Sequence, residues 1–140
     1  VLYQIKSPKQ TRDLAKEFAL KAKIGDVYGL KGTLGVGKSL FASAFIDALS
    51  DKKVKILSPT FNLLYSYQTQ IGEVYHFDLY RLKSSQELEN IGFFDCIESG
   101  VCLVEWPELI EKLSFQNYVE INIKNMGDQK RLITINNTFG

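Results

Sequence analysis

The chain has 140 residues, 45% hydrophobic and 24% charged, the proportions expected of one soluble globular domain. Its 17 Lys and Arg against 16 Asp and Glu leave a formal charge of +1, which excludes a strongly electrostatic DNA binder but leaves room for RNA contact within a complex. One histidine, two cysteines without CxxC spacing and no apolar run near the ~18 residues of a membrane span argue against a multi-ligand zinc site and against membrane insertion. The expected location is the cytoplasm, with Cys96 and Cys102 as small buried thiols in a reducing compartment.

Ser7-Pro8-Lys9-Gln10 predicts a helix start, with Ser7 as N-cap, Pro8 at the first helical position and Gln10 in the reciprocal capping place. Leu14, Ala15, Phe18, Ala19 and Ala22 recur on one face, and the helix ends near Lys23. Val27 to Leu30 reads as a short buried strand. A glycine-rich turn follows, then a helix from about Ser39 to Leu49. Val54 to Leu57 reads as the next strand, stopped by Ser58-Pro59. Asn62 to Tyr67 and Val74 to Leu79 flank a polar turn and predict a hairpin.

Ser84-Ser85-Gln86-Glu87 is a second capping-box pattern, opening a short helix through Leu88 and Ile91. Val101 to Val104 is apolar throughout, as a central strand buried on both faces requires. Pro107 opens a further helix with Leu109, Ile110 and Leu113. Val119, Ile121 and Ile123 alternate, then Leu132, Ile133 and Ile135, across Gly127-Asp128: a terminal hairpin. Helices alternating with buried strands, plus hairpins, predict an α/β fold. The sheet is mixed, mostly parallel at its centre, and flanked by helices.

Gly32-Thr33-Leu34-Gly35-Val36-Gly37-Lys38-Ser39 matches G-x-x-x-x-G-K-[ST] and lies between a predicted strand and helix, the context this motif needs. Gly32, Gly35 and Gly37 let the backbone turn its N–H groups toward a phosphate chain. Lys38 supplies charge to the β- and γ-phosphates and Ser39 a hydroxyl to Mg²⁺, with the N-terminus of the following helix adding its dipole. Residues 32–40 are thus the candidate ATP-binding residues. Glu105 follows four apolar strand residues and is the matching acidic group, able to bind Mg²⁺ or to activate the attacking water.

Two segments between these carry weaker signals. Thr60 resembles a switch threonine, Asp78 is a second candidate metal or water ligand, and Arg81 is a candidate phosphate contact. On chemistry alone the structural reading is favoured for each: Thr60 as a turn cap, Asp78 paired with Arg81, His76 as a hydrogen-bonded structural histidine.

Together, Gly-Thr-Leu-Gly-Val-Gly-Lys-Ser at 32–39, Ser-Pro-Thr-Phe at 58–61, His-Phe-Asp-Leu-Tyr-Arg at 76–81 and Glu-Trp-Pro-Glu at 105–108 closely resemble the bacterial TsaE (YjeE) family. The resemblance implies a cytoplasmic Mg²⁺-dependent ATPase of tRNA threonylcarbamoyladenosine biosynthesis. It implies TsaB and TsaD as partners, the pair that transfers a threonylcarbamoyl group to N6 of an adenosine in tRNAs reading ANN codons. Contact with tRNA would then be indirect, through that complex. Carried over by position, Ser39 and Glu105 bind the metal, and Thr60, Asp78 and Glu105 form the catalytic set. Trp106 lies beside the site, and Thr11 and Arg131 approach the nucleotide. Thr33 stands where the family usually has Asp.

A small-molecule kinase shares the P-loop, but such enzymes use several arginines as phosphate clamps. This chain has Arg12, Arg81 and Arg131 in all. A nucleotide-controlled binding module is the other alternative.

Overall fold

In the computed structural model, which describes all residues except 34, 52–54, 58, 60, 61, 114, 116 and 140, the chain runs through seven strands of one mixed sheet. These are β1 (Leu2–Ile5), β2 (Val27–Lys31), β3 (Leu64–Thr69), β4 (Gly72–Asp78), β5 (Gly100–Glu105), β6 (Asn117–Gly127) and β7 (Lys130–Phe139). Among the described residues four α-helices accompany them: α1 (Pro8–Lys21), α2 (Lys38–Leu49), α3 (Ser85–Asn90) and α4 (Phe93–Ser99). The strand order is β1-β7-β6-β2-β5-β4-β3. Its centre, β6-β2-β5-β4, is parallel, and both flanks are antiparallel. The expected architecture is the one found.

Side chains alternate across the sheet and divide the core into two layers. On one face Tyr28, Leu30, Val101, Leu103 and Val74 pack beneath α1 and α2, against Leu14, Ala15, Phe41, Phe45 and Ile46. On the other, Val27, Phe77, Cys102 and Val104 meet Leu88, Phe93 and Ile110. Every residue of β5 is buried, because helices cover both its faces. Gly29 is fixed by the second layer, since a Cβ there would collide with the Tyr118 ring.

Caps and turns follow the sequence with adjustments. Ser7 occupies the N-cap of α1 in extended conformation but makes no side-chain cap bond; Gln10 Oε1 accepts instead from Lys6 N at 2.7 Å. Ser84 does cap α3, accepting from Glu87 N at 3.3 Å. The β6–β7 turn holds Asp128 and Gln129 at φ 49° and 64°, the left-handed pair of a two-residue hairpin.

Two expectations are corrected, and two elements are new. Residues 55–57 join no strand; Leu57 is tied instead to the Tyr67 hydroxyl, its N–H donating at 3.0 Å. The rest of that predicted strand, Val54, lies outside the described residues. The helix expected from Pro107 is one 3-10 turn, Pro107–Leu109, since the chain must turn back to enter β6 at Asn117. β1 was not anticipated: four residues carry too little periodicity, and pairing with β7 defines it. Nor was α4, which starts after Gly92 in the left-handed conformation and is anchored by the fully buried Phe93.

Candidate functional site

Parallel strands bring their C-terminal ends to one edge of the sheet. In register, Leu30 of β2 lies opposite Glu105 of β5, and Glu105 opposite Asp78 of β4. The glycine loop leaves β2 at this edge and enters α2, so one turn of backbone overhangs both carboxylates. Ligands of open α/β sheets bind at such an edge, outside the carboxyl ends of the strands.

The loop's glycines have separable reasons. Gly32, Gly35 and Gly37 have φ of 147°, 79° and 120°, backbone that side chains rarely adopt. At Gly32 a Cβ would also lie 2.6 Å from both Ile123 O and Val36 Cγ1. At Gly35 and Gly37 it would meet nothing within 4 Å, so conformation alone selects glycine there. Thr33 is exposed, and Leu34 lies outside the described residues.

Lys38 is buried at the start of α2. Its Nζ donates to Gly32 O at 2.8 Å and sits 3.4 Å from the centroid of the Trp106 ring. Burial pushes its ammonium below the usual lysine range, against the opposing pull of the Glu105, Asp78 and Glu108 carboxylates. Trp106 is held at φ 57° and packs its other contact on Tyr80, with centroids 4.9 Å apart. A strained non-glycine residue beside a site is a cost that the surroundings must impose.

Ser39 Oγ lies 3.5 Å from both carboxylate oxygens of Glu105, a side chain 7% exposed. Glu105 Oε2 is 2.6 Å from His76 Nε2, and His76 is 1% exposed. Asp78 is buried beside them, its Oδ1 accepting from Tyr80 N at 2.9 Å. Among the described residues no cluster of three or more His, Cys, Asp or Glu forms a metal cage. A hydroxyl and one carboxylate suit Mg²⁺ nevertheless, because that ion takes few protein oxygens and completes its shell with phosphate and water.

A cleft of about 270 Å³ adjoins the loop and brings Thr11, Gly35, Val36, Gly37, Leu40 and Arg131 onto one wall system. Arg131 reaches it from β7, its Nε donating to Val36 O at 2.8 Å and its Nη1 to Asn125 Oδ1 at 3.0 Å. Thr11 reaches it from the first turn of α1, buried. The sequence motifs thus meet in two adjoining places, Lys38, Ser39, Asp78 and Glu105 at the sheet edge and Thr11, Leu40 and Arg131 at the cleft. Thr60 lies outside the described residues. The backbone nearby is constrained, with Leu63 at φ 67° and its carbonyl accepting from Asp78 N at 3.0 Å.

Two contacts at the site were not foreseen. His76 was expected to be a hydrogen-bonded structural histidine; it is buried and hydrogen-bonded, and the partner not foreseen is the acidic residue of the site. Its two-residue spacing from Asp78 in a predicted strand was the available signal, since i and i+2 share a face. The stacking of Tyr80 on Trp106 had no signal beyond the nearness of both to motif residues.

The fold and site define a mixed α/β protein built around a strand–glycine loop–helix unit, with two carboxylates presented by neighbouring parallel strands. The profile of the family described as threonylcarbamoyl adenosine biosynthesis protein TsaE matches residues 5–133. The chain belongs to the TsaE family. It is 38% identical over 134 residues to the tRNA threonylcarbamoyladenosine biosynthesis protein TsaE of Rickettsia typhi, covering 96% of this chain and 93% of that protein. It is 40% identical over 129 residues to the TsaE of Bacillus subtilis, covering 91% and 80%. The crystal structure of Bacillus subtilis YdiB superposes with a TM-score of 0.80 at 33% identity, covering all of this chain and 86% of that one.

Proposed function

We propose that the protein is a Mg²⁺-dependent ATPase of tRNA N6-threonylcarbamoyladenosine biosynthesis that works with the TsaB–TsaD complex in the cytoplasm. The observation that carries this reading is the placement of Ser39 Oγ 3.5 Å from the Glu105 carboxylate, under the loop that ends in Lys38. Family membership supports the pathway. That no helix among the described residues is long and apolar enough to cross a membrane is consistent with it.

In this reading the loop N–H groups and Lys38 hold the phosphates, while Thr11, Leu40 and Arg131 border the nucleoside in the adjoining cleft. Ser39 and Glu105 hold Mg²⁺, which when bound neutralises charge on the phosphates. Asp78 orients a water molecule from the next strand. Lys38 would leave the Trp106 ring and the Gly32 carbonyl to reach a phosphate, exchanging an indole face and a neutral acceptor for an anionic one. Trp106, seated on Tyr80, then forms the wall of the site on the side facing β4.

The test separates binding from turnover. Glu105→Ala is expected to lower Mg²⁺-dependent phosphate release on the order of 10²-fold, the scale of losing one preorganised electrostatic group. Nucleotide affinity should fall far less, because the loop and Lys38 remain. Wild-type turnover in Glu105→Ala and in Asp78→Ala would refute the assignment. Capture on immobilised TsaB–TsaD with ATP, with ADP and without nucleotide tests the partner.

A further inference from the structure

The least expected contact in the molecule joins the sole histidine to the acidic residue of the site. His76 and Asp78 share the α2-facing side of β4, and Asp78 lies opposite Glu105 in the sheet. His76 Nε2 stands 2.6 Å from Glu105 Oε2, a short contact between an imidazole nitrogen and a carboxylate oxygen, and both side chains are buried. Its Nδ1 is buried as well and has no hydrogen-bond partner among the described residues.

That asymmetry selects the tautomer. An ionised carboxylate can only accept, so Nε2 carries the hydrogen. A hydrogen on Nδ1 would be a buried donor without an acceptor, which is disfavoured, whereas a bare lone pair there loses less. The hydrogen-bonding partners thus favour the tautomer in which Nε2–H donates to Glu105.

We propose that His76 is a positioning residue, holding one oxygen of Glu105 so that the other is presented to the metal beside Ser39. The proposal rests on the reading of Ser39 and Glu105 as the Mg²⁺ pair. The terminal torsion of a glutamate is broad and nearly two-fold, so an untethered carboxylate samples many oxygen placements. Mg²⁺ demands near-ideal octahedral geometry and tolerates such wandering poorly. A donor fixed in the sheet removes the freedom. Partners that orient a metal ligand typically change metal affinity 10- to 100-fold when removed.

The test uses the intact protein and a nonhydrolysable ATP analogue, with affinity measured in Mg²⁺ and in EDTA. The ratio of the two is the metal's contribution. In the wild type Mg²⁺ should tighten binding. His76→Phe should reduce that enhancement about tenfold or more, leaving EDTA affinity unchanged. His76→Gln, whose amide nitrogen reaches the place of Nε2, should keep it within about threefold. His76→Asn is as polar but too short, and should lose it like His76→Phe. If His76→Phe fails to fold, the Gln and Asn pair decides: equal enhancement in the two overturns the proposal. A full enhancement in folded His76→Phe overturns it too.

Absence of any enhancement in the wild type would instead overturn the metal assignment, and the proposal with it. Nitrogen-15 NMR provides a readout independent of nucleotide. The single imidazole should show a protonated Nε2 and bare Nδ1, and Glu105→Ala should abolish the hydrogen-bonded Nε2–H signal. A protonated Nδ1 with bare Nε2 would overturn the orientation argued here.

Discussion

Lys38 Nζ rests 3.4 Å from the centre of the Trp106 ring while donating to Gly32 O, so the loop's cation is stowed inside the protein rather than offered to solvent. A cation over an indole face is stabilised modestly, and more when both are desolvated. Here burial outweighs the attraction of Glu105, Asp78 and Glu108, and the ammonium's pKa is lowered.

The lowered value fixes the sign of a stability effect. A lysine whose folded pKa lies below 10.5 binds its proton more weakly in the folded chain than in the unfolded one. The charged form therefore costs stability, fully below the folded pKa, and the cost disappears as pH rises through 10.5. Lys38→Met should melt at or above the wild-type temperature at pH 7, and the difference should shrink toward alkaline pH. The same variant should lose about 10- to 100-fold in ATP affinity, the worth of ~1.5–3 kcal/mol for a charged hydrogen bond. Thermal scans and calorimetry check both. A marked fall in melting temperature at pH 7 would contradict the burial argument.

Trp106 is the only tryptophan, and the stowed lysine lies on its ring. Binding of Mg-ATP that draws Lys38 to phosphate should change Trp106 emission. Lys38→Met should begin with an altered emission and respond little to nucleotide. Unchanged wild-type emission during a titration in which calorimetry records binding would show that the lysine stays where it is.

Much of this site could be read from the chain, and the limits are physical. The loop was readable because its glycines, lysine and serine are contiguous between a buried strand and an apolar-faced helix. Glu105 was readable because β5 is apolar on both faces and its carboxylate comes at the end. What escaped depends on register and on cross-strand packing. His76 finds Glu105 only because β4 and β5 align Asp78 with Glu105. Arg131 reaches Val36 only because the β6–β7 hairpin folds beside the loop. The two residues lie 95 apart in sequence, so no local pattern pairs them. β1 and α4 were short segments whose structure comes from neighbours rather than from local pattern, as tertiary context overrides weak propensity.

Arg131 therefore has a dual part. Its Nε bond to Val36 O braces the loop, and its side chain lines the cleft. Arg131→Ala should cost about 1.5 kcal/mol of stability, as for loss of a charged donor. It should also weaken nucleotide binding. Arg131→Lys should not restore the loop contact, because an ammonium lacks the guanidinium's fixed fork that serves Val36, Asn125 and Lys130 together. Denaturant melts of the three proteins would decide it; full rescue by lysine would mean that charge alone matters.

Gly32→Ala and Gly35→Ala separate packing from conformation. Both place a Cβ at positive φ, but only at Gly32 does it strike backbone, Ile123 O at 2.6 Å. Expected losses are about 3 kcal/mol or more at Gly32, where strain and overpacking add. At Gly35 the loss should be about 1–2 kcal/mol, from backbone strain alone. Equal losses in urea unfolding would show that the loop relaxes away from Ile123.

The isolated protein should hydrolyse ATP slowly, and TsaB–TsaD should change the rate. Fast phosphoryl transfer needs positive charge on the developing transition state, and an arginine supplied in trans is worth ~10³–10⁵ in rate. The chain's three arginines are poorly disposed to supply it. Arg131 is committed to Val36, Asn125 and Lys130, and Arg12 lies on the exposed face of α1. Arg81 follows Asp78 by three residues on an exposed turn beyond β4. The constrained backbone at Leu63, bonded to Asp78 N, and at Trp106, next to Glu105 in sequence, is the kind of segment that rearranges against a partner. ATP should therefore favour docking, and the assembled complex should complete or regulate the site. Phosphate release with and without stoichiometric TsaB–TsaD is the measurement. Brisk turnover by the protein alone, indifferent to the partners, would sink the switch reading and favour a self-sufficient phosphotransferase.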